Sequence, residues 1–452
     1  MIALQVAGTL LREVLRTLLT PLRLLTYLPF RHHWRRVAQE VLNELAEEPN
    51  DAEREIVATL RKRRQPTADP GGAPYKLFLS AGEASGETHA VALVQALNSQ
   101  PIHFRAFGGS ALQKAGADLL FPLSEHAAMG FFSVVSQLPM IVRAYATFLR
   151  MLRDDPPDLV VLVDYPGLHL VMAKACRRRG IPVLHYVAPQ YWAWGPWRMR
   201  RYRRSVDATL TILPFETAFF RRFHVPARYV GHPLLDELER NTPDSTAIAD
   251  VAARPTLCLL PGSRRAEISA NLPGMLRAAA ALRSEQPDLR VVLPHRDPRR
   301  TALLRQLLTE AKADFVEHHE GPLAPWLAGA RLVLAKSGTG SLEACLHGNP
   351  VVVVYKLSNM ISSIGYHNIL SVPYIAAANL IAGRKVVPEF CFHGDGGWDE
   401  VTKAVHELWL DGPARTRCQQ GLAEVRERLG SGGATRRVAD IVQGFFAPNS
   451  AT

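Results

Sequence analysis

The sequence predicts an α/β fold made of two Rossmann-like domains that face a cleft. From Tyr75 onward, short apolar runs alternate with stretches of helical periodicity, which is typical of parallel sheets covered by helices on both faces. The alternation restarts after a polar stretch that begins at Asn241, which indicates a linker between two such series. The length of 452 residues is about three times a ~150-residue domain, so two sizeable domains and an appendage fit it.

Residues 1–74 are predicted to form a helical N-terminal extension and a linker. Apolar residues recur at helical spacing between Leu10 and Leu19, with arginines among them, which predicts an amphipathic helix. A second helix is expected from Val37 to about Lys62, before the charged, Pro/Gly-rich linker RKRRQPTADPGGAP. The amphipathic helix is suited to a membrane interface and equally to packing on its own domain or on a partner, and the sequence leaves both open.

The strands of the first domain, residues 75–240, follow in order. The run KLFLSAGEASGE predicts a strand, a glycine-containing loop and the start of a helix, and IHFRAFGG predicts a second strand. LVVLVDYP predicts a buried strand that ends in an acidic loop, and IPVLHYVAP and ATLTILP predict two more. Ligands of such sheets bind at the carboxyl ends of the strands, so the loops after these strands are candidate sites.

The second domain, residues 254–452, repeats this organisation. Its strands are predicted from TLCLLPGSRR, LRVVLPH, ARLVLAKSGTGS and NPVVVVYK. The remaining segments have helical periodicity. The terminal helices could pack back on the first domain.

Composition and charge narrow the functional classes. Hydrophobic residues make up 47% of the chain, which excludes disorder of the whole chain. The formal net charge of +11 favours an anionic partner, which could be a nucleic acid, a phospholipid surface or a phosphorylated substrate. Five scattered cysteines without a C-x-x-C pair indicate neither a disulfide framework nor a cysteine zinc site, and they fit a reducing compartment.

The run LVLAKSGTGSLEA contains the strongest local motif. A buried strand ends at Ala335, and Ser337, Gly338, Thr339, Gly340 and Ser341 then open a helix. Free backbone N–H groups at such a helix start bind anions, and glycine permits close approach. Glu343, in the first turn, could accept hydrogen bonds from ribose hydroxyls. The alternative is a capped helix after a tight turn, with Glu343 complementing the helix dipole.

The run LLPGSRRAEI places Arg264 and Arg265 after another strand end and a Pro-Gly turn. A guanidinium there can bind a diphosphate. Arginines after a turn are more often only surface residues, but a second anion-competent strand end in the same domain favours phosphate binding.

In the first domain, LVDYPG places Asp164 at the end of a fully apolar strand. An aspartate there is a candidate general base for a hydroxyl nucleophile, and the alternative is a helix cap or an arginine partner. The run AGEASGE places Glu83 and Ser85 at another strand-to-helix loop of this domain.

The run YVAPQYWAWGPWRMRRYRR interleaves tryptophans with arginines, among them Trp192, Trp194, Arg198 and Arg201. This composition is suited to a membrane–water interface or to nucleic acid, and it also occurs in a buried aromatic cluster followed by a basic helix. Since no recognised nucleic-acid module accompanies it, we expect no nucleic-acid partner. The chain has no H-E-x-x-H or D-x-D motif, so we expect no metal site.

Taken in order, these motifs resemble the lipid-A-disaccharide synthase family of Gram-negative bacteria, GT-B glycosyltransferases of family 19. The resemblance spans roughly Leu77 to Phe390, in segments that include AGEASGE, LVDYPG, HYVAPQYWAW, LLPGSRRAEI and SGTGSLEACLHGNPVVVVY. It implies a GT-B fold with the acceptor on the first domain and the UDP-sugar on the second. It also implies transfer from UDP-2,3-diacylglucosamine to 2,3-diacylglucosamine 1-phosphate, with neither metal nor cofactor.

The resemblance implies an inverting reaction that releases UDP, in a cytoplasmic protein held peripherally at the inner face of the inner membrane. An anionic membrane surface would then be a partner, and a homodimer is a further option. By position, Asp164 matches the essential aspartate, and Glu83, Ser85 and Met129 fall in first-domain motifs. Arg264 matches the arginine of a Pro-Gly-Ser-Arg motif. The residues that match UDP-binding motifs are Ser337, Gly338, Thr339, Gly340, Glu343, Asn379 and Arg384.

The chain also departs from the family pattern near substrate-facing segments. Gly167 and His169 replace Asp and Asn, Ser133 replaces Glu, Phe392 lies near an expected Gln, and Lys336 is an extra lysine. Two alternatives therefore stay open. One is another UDP-GlcNAc-using GT-B enzyme, either an epimerase or a transferase to a different acceptor, and the other is a catalytically weakened membrane-associated paralogue.

Overall fold

The computed structural model describes residues 2–20, 22, 27–44, 51–64, 74–127, 134–357, 366 and 368–447. The chain divides into two compact units. The first comprises residues 1–236 with 431–452, and the second comprises residues 237–430. The last helix of the chain therefore belongs to the first unit, although it follows the second unit in sequence.

The first unit contains a seven-stranded parallel sheet in the order β3-β2-β1-β4-β5-β6-β7. The central strands consist of apolar runs because helices cover both faces of the sheet. Their bounds are Tyr75–Ala81 (β1), Ile102–Phe107 (β2), Asp118–Phe121 (β3), Leu159–Val163 (β4), Val183–Tyr186 (β5), Ala208–Thr211 (β6) and Ala227–Tyr229 (β7).

Helices precede, connect and follow these strands. They are Ile2–Leu18 (α1), Arg31–Asn43 (α2), Ala52–Arg63 (α3), Ala84–Leu97 (α4), Ser110–Lys114 (α5), Leu123–Ala127 (α6), Val134–Asp154 (α7), Pro166–Arg177 (α8), Met199–Tyr202 (α9), Glu216–Arg222 (α10) and Pro233–Arg240 (α11), with Ala434–Phe446 (the last helix, α20) returning from the second unit. Helix α11 crosses the boundary between the units.

The core of the first unit includes residues that lie before β1 in the chain. Ile56 and Leu60 of α3 are fully buried in the same cluster as Leu77 of β1 and Phe445 of α20. The Tyr75 ring stacks on a ring of α20 with centroids 4.7 Å apart. Helix α3 is therefore part of this core, although the sequence analysis assigned it to an N-terminal extension.

The second unit contains a six-stranded parallel sheet in the order β10-β9-β8-β11-β12-β13. The strands are Thr256–Leu260 (β8), Arg290–His295 (β9), Val316–Glu320 (β10), Leu332–Lys336 (β11), Val351–Leu357 (β12) and Glu389–His393 (β13). Its helices are Ser245–Ala252 (α12), Arg265–Glu285 (α13), Thr301–Glu310 (α14), Ala324–Gly329 (α15), Thr339–Leu346 (α16), Ala377–Ala382 (α17), Trp398–Trp409 (α18) and Pro413–Leu429 (α19).

Both strand orders reverse direction once, and these reversals position the candidate sites. The first sheet reverses between β1 and β4, and the second between β8 and β11. Ligands of open α/β sheets bind beside the carboxyl ends of the strands at this point. The predicted two Rossmann-like sheets are confirmed. None of the described helices combines the length and apolar composition that crossing a bilayer requires.

Candidate active site

Asp164 lies directly after β4, at the reversal of the first sheet. Its φ is 54° and that of Tyr165 is 48°, so two consecutive non-glycine residues adopt the left-handed conformation. Each such residue costs roughly 1–3 kcal/mol and persists only where its surroundings enforce it. The Tyr165 ring packs on Gly82, where an added Cβ would lie 2.0 Å from the ring, so only glycine fits there.

The electrostatic surroundings of Asp164 suit a base. Burial raises the pKa of its carboxyl, the negative charge of Glu83 raises it further, and a hydrogen bond from the Tyr165 backbone N–H lowers it. A carboxylate with a raised pKa accepts a proton more readily. The structure therefore brings Asp164 and Glu83 together, because their strands β4 and β1 are neighbours in the sheet. Glu83 is exposed at the start of α4, and Ser85 is exposed in its first turn.

Two histidines bind the backbone of Asp164, and the sequence did not reveal them as a pair. His169 Nδ1 lies 2.7 Å and His185 Nε2 lies 3.1 Å from the Asp164 carbonyl oxygen. Both imidazoles are buried.

Side chains of the tryptophan–arginine segment contact other residues of the first unit. Trp192 is only 3% exposed and donates its indole N–H to Glu216 Oε1 at 3.0 Å. This burial corrects the prediction that Trp192 contacts a membrane or an acceptor. Trp194 is 40% exposed and stays available for such contact. The Arg198 guanidinium lies 5.8 Å from the Tyr191 ring centroid.

Arg201 binds a carboxylate of the N-terminal helix. Its two terminal nitrogens donate to Glu13 of α1 at 2.7 and 2.9 Å. The predicted acceptor or membrane contact of Arg201 is thus replaced, in this conformation, by an ion pair that ties α1 to the first unit.

In the second unit, Arg264 lies at the start of α13, directly after β8 and its turn. The backbone N–H groups of Ser263 and Arg264 donate to Glu267 Oε2 at 3.2 and 3.3 Å. The Arg264 side chain is 60% exposed, and its Nη1 lies 3.4 Å from Glu267 Oε1. The predicted diphosphate ligand is therefore presented by a turn that Glu267 holds in place.

The glycine- and hydroxyl-rich loop follows β11, the other strand at this reversal. The Ser341 hydroxyl donates to the Gly338 carbonyl at 2.7 Å, and the Ser337 hydroxyl donates to Ile375 O at 3.0 Å. Gly338, with φ of 153°, and Thr339 are exposed, and Gly340 is half-buried. Since the two serines stabilise the loop itself, the groups that suit an anion are the N-terminal N–H groups of α16 and the Thr339 hydroxyl.

Lys336, the extra lysine that the sequence places beside this loop, contributes a cation there. Its Nζ lies 3.1 Å from Glu267 Oε1 and 5.4 Å from the Tyr355 ring centroid. A Cβ added to Gly338 would lie 3.9 Å from the same nitrogen. Glu267 thus connects the turn after β8 with the end of β11, and it brings Lys336 and Arg264 to one carboxylate.

Glu343 is buried and already has a partner. Arg296 Nη2 lies 2.6 Å from Glu343 Oε1, and Arg296 also approaches Glu237 at 3.8 Å. Burial raises the pKa of the Glu343 carboxyl, the charge of Arg296 lowers it, and Glu237 raises it. A ribose could bind Glu343 only if the Arg296 guanidinium moved away from this carboxylate. Arg296 is a residue that sequence reasoning missed.

The Asn379 side chain makes all of its hydrogen bonds to residues of the second unit. Its Nδ2 donates to Val387 O and Glu389 Oε2, both at 3.0 Å. Its Oδ1 accepts the N–H groups of Val386 and Val387 at 2.7 and 2.9 Å. Two donors and two acceptor positions exhaust an asparagine side chain. In this structure the Asn379 side chain therefore holds the chain between α17 and β13, and its UDP contact stays a prediction.

Of the remaining predicted residues, one pairs with another helix and others lie outside the described part. Arg384 forms an ion pair with Glu424 of α19. Met129 and Ser133 lie outside the described residues. Within the described part of the chain, no three His, Cys, Asp or Glu side chains form a group that could hold a metal ion.

Known proteins resemble this chain over most of its length. Residues 77–413 match the sequence model of the lipid-A-disaccharide synthetase family. A lipid-A-disaccharide synthase of Myxococcus xanthus is 37% identical over 392 residues, which cover 83% of this chain and 98% of that protein. One of Geobacter sulfurreducens is 35% identical over 374 residues, covering 81% and 96%.

Solved structures resemble the fold at lower identity. The UDP-GlcNAc 2-epimerase of Neisseria meningitidis bound to UDP-GlcNAc has a TM-score of 0.53 and 14% identity, with 81% of this chain and 99% of that chain covered. The glycotransferase of kitacinnamycin has a TM-score of 0.54 and 17% identity, covering 83% and 100%. These similarities show a GT-B fold.

Proposed function

The chain belongs to the lipid-A-disaccharide synthase family, and we propose that it joins UDP-2,3-diacylglucosamine to 2,3-diacylglucosamine 1-phosphate and releases UDP. It is a glycosyltransferase by its family and fold. The observation that carries the proposal is the half-buried Asp164 carboxyl at the reversal of the first sheet, with its raised pKa.

Asp164 acts as the general base in the proposed reaction. As the 6-hydroxyl of the acceptor attacks the anomeric carbon of the donor, Asp164 takes the hydroxyl proton. The new carbon–oxygen bond forms from the side opposite the breaking bond to the diphosphate, so the anomeric configuration inverts and UDP leaves with the electron pair. Glu83 orients the acceptor, since its exposed carboxylate lies close enough to raise the pKa of Asp164.

The second unit holds UDP and stabilises the charge that develops on it. Arg264, Lys336 and the N-terminal N–H groups of α16 are presented at the two strand ends that Glu267 connects. Donors and cations fixed in advance stabilise a departing diphosphate without a metal ion. Glu343 accepts hydrogen bonds from the ribose once Arg296 has moved, and Arg296 is then available to an anionic group of the donor.

The anionic membrane surface is the proposed partner of α1. Leu4, Leu11, Leu15 and Leu18 of this helix are exposed, although they are large apolar side chains. A groove of about 470 Å³ beside α1 is lined by residues of α1, α7 and α8, with Arg178 and Arg179 directly after α8. The arginines that line this groove are Arg12, Arg178 and Arg179.

Positive charge is concentrated around this groove. The pKa of Lys174 is lowered by burial and by the arginines nearby, which are Arg16, Arg178, Arg201 and Arg12. Exposed leucines beside clustered arginines suit an interfacial helix on anionic lipid. We therefore place the enzyme peripherally at the cytoplasmic face of the inner membrane, where its lipid substrates lie.

The direct test is UDP release by the purified full-length protein with both diacylated substrates. Release that requires donor and acceptor together, with a disaccharide product in the mass spectrum, is the expected result. Turnover of UDP-GlcNAc without any acceptor would instead indicate an epimerase. UDP release with a non-acylated acceptor but not with the diacylated one would indicate a transferase to a different acceptor. No turnover at all would indicate a weakened paralogue.

Asp164→Asn tests the base within the same assay. The substitution removes the carboxylate at nearly constant volume, so turnover is expected to fall by ~10²–10⁴-fold with UDP affinity unchanged. Asp154→Asn is the matched control, because Asp154 is an exposed carboxylate of the same unit that pairs with its neighbour Arg153. A folded Asp164→Asn enzyme with normal turnover would remove Asp164 from the mechanism.

A further inference from the structure

The carbonyl oxygen of Asp164 is the point on which two buried imidazoles converge. His169 approaches it from the first turns of α8 with Nδ1 at 2.7 Å, and His185 approaches it from β5 with Nε2 at 3.1 Å. A carbonyl oxygen only accepts hydrogen bonds and has two lone pairs. Both of these ring nitrogens must therefore carry a proton and donate it to Asp164.

The other nitrogen of each ring is bound by a hydroxyl group. His169 Nε2 lies 2.8 Å from Ser80 Oγ, and His185 Nδ1 lies 3.0 Å from the Tyr202 hydroxyl. Burial lowers the pKa of His169 to about 3 and that of His185 to about 4, so both rings are neutral near pH 7. A neutral imidazole has one donor and one acceptor nitrogen. Ser80 and Tyr202 therefore donate to the histidines.

The direction of the outermost hydrogen bond follows in turn. The Tyr202 hydroxyl has a single proton, which it gives to His185, so it accepts from Thr209 Oγ1 at 2.8 Å. Two chains of hydrogen bonds thus run in one direction, from Ser80 and from Thr209, and both end on the Asp164 carbonyl.

Sheet register explains why these polar groups meet in a buried sheet. Ser80 of β1 pairs with Leu162 of β4, Leu162 pairs with His185 of β5, and His185 pairs with Thr209 of β6. Residues in register share one face of the sheet. Ser80, His185 and Thr209 therefore form a polar row on one face, while His169 and Tyr202 come from the following helices α8 and α9.

The backbone of Asp164 needs such support. Asp164 and Tyr165 are both left-handed at φ of 54° and 48°, and helix α8 begins directly afterwards at Pro166. Without restraint, non-glycine residues would return to the more favourable right-handed or extended region. Such a change would rotate the Asp164 side chain away from its present position beside Glu83.

We propose that His169 and His185 form a histidine clamp that acts as the positioning element of the catalytic carboxylate, by holding the Asp164 carbonyl in the left-handed backbone conformation. Both imidazoles are buried, so in this proposal they act through Asp164 and not on the substrate itself. The inference rests on the proposed function, because it assigns the clamp to the presumed base of that reaction. It also gives His169 a role, although His169 departs from the family pattern.

The test compares two substitutions of His169 in the full-length enzyme. His169→Phe keeps a ring of similar size and removes the donor, whereas His169→Asn keeps an amide N–H at the position of Nδ1. We expect His169→Phe to lower kcat by roughly 10–100-fold, as displacement of a catalytic group by about 1 Å does, with little change in either KM. His169→Asn should restore most of kcat, and UDP affinity should be unchanged in both variants.

Three results would overturn the clamp. These are a folded His169→Phe enzyme with kcat within about twofold of wild type, equal losses in the Phe and Asn variants, or a loss that appears in KM alone. His103→Phe is the matched control, since His103 is an exposed histidine of β2 in the same unit. If His169→Phe does not fold, His185→Gln, which keeps a donor at the Nε2 position, is compared with His185→Leu under the same criteria.

Failure of the clamp and failure of the proposed function give different results. If Asp164→Asn is inactive while His169→Phe is normal, only the clamp is wrong. If Asp164→Asn is fully active, the base assignment is wrong and the clamp has no catalytic carboxylate to position.

Discussion

Lys336 and Arg264 show how one carboxylate can organise a binding site at the scale of single residues. Glu267 accepts hydrogen bonds from the backbone of the β8–α13 turn and also lies 3.1 Å from the Lys336 ammonium. The positive charges that surround Glu267 hold the pKa of its carboxyl below its usual value, against the effect of its burial. It therefore stays ionised at neutral pH and keeps both cations beside the loop that follows β11.

Loss of either cation is expected to weaken UDP binding. Charge-assisted hydrogen bonds to phosphate contribute roughly 1.5–3 kcal/mol each, so Lys336→Met and Arg264→Ala should each raise the UDP Kd by ~10–100-fold in calorimetry. Lys356→Met is the matched control, since Lys356 lies on the adjacent strand and pairs with the exposed Asp395. Uridine, which has no phosphate, should bind all variants equally.

Unchanged UDP affinity in the Lys336 variant would make this lysine a structural partner of Glu267 alone. A loss of uridine affinity equal to the loss of UDP affinity would mean that the loops had moved, and the assignment to the diphosphate would then be wrong.

At the scale of elements, the start of α10 depends on a buried carboxyl group. Glu216 accepts hydrogen bonds from the N–H groups of Ile212 and Leu213 and from the Trp192 indole. Burial raises its pKa to about 7 despite these three donors. The carboxyl thus fixes the turn after β6 and at the same time anchors the tryptophan that the sequence placed at a surface.

This raised pKa predicts a specific pH dependence of stability. The folded state binds a proton at Glu216 up to about pH 7, whereas the unfolded chain releases it near pH 4.5. The contribution of Glu216 to stability is therefore fully present below pH 4.5 and is lost as the pH rises to about 7. A glutamine side chain does not titrate. The free energy of unfolding of Glu216→Gln in urea should therefore not show the decline with pH that the wild-type protein shows.

The comparison requires unfolding curves at several pH values between 4 and 8. A wild-type minus variant difference that stays constant over this range would contradict a raised pKa at Glu216. Glu125→Gln serves as a carboxylate control, because Glu125 is exposed on α6 and its Oε1 accepts the backbone N–H group of Ser110.

Helices α1 and α3 belong to the same N-terminal stretch, yet their apolar residues are placed differently. Leu60 of α3 is fully buried in the core, while Leu15 of α1 is 48% exposed. Leu60→Ala is expected to lower the unfolding free energy by ~2–5 kcal/mol, whereas Leu15→Ala should change it little. Chemical denaturation of the two variants measures the contrast, and equal effects would contradict the packing of α3.

For the whole molecule, the exposed leucines of α1 and the arginines beside it predict membrane binding through one surface. Leu11→Ser with Leu15→Ser should weaken binding to vesicles that contain anionic phospholipid, and UDP affinity should not change. Added salt should weaken binding of the wild-type protein further, because it screens the arginines. Sedimentation with vesicles measures both effects, with neutral vesicles as the control.

If the double variant binds vesicles as wild type does, another surface carries the membrane contact. The exposed Trp194 would then be the next position to substitute, because it is exposed whereas Trp192 is buried. If wild-type binding does not differ between anionic and neutral vesicles, the arginines contribute nothing to it.

Part of this protein could be predicted from the sequence because the information is local. Alternating apolar runs and helical periodicity predicted two parallel sheets, and they also placed Asp164, Arg264 and the Ser337–Ser341 loop directly after strands. Since parallel strands end at one edge of a sheet, position in the chain was sufficient to place Asp164 and Glu83 at the same edge, whereas the pairing of β1 with β4 brings them together. The family motifs lie in the same loops for the same reason.

Only the tertiary structure decided which side chains are free to act. Burial of Trp192, the complete use of Asn379 and the pairing of Glu343 with Arg296 depend on residues that are distant in sequence or on another element. The convergence of His169 and His185 on one carbonyl depends on sheet register and on a left-handed backbone, neither of which leaves a periodic pattern. Periodicity reports which face of an element is buried, whereas a hydrogen bond depends on distance and direction in three dimensions.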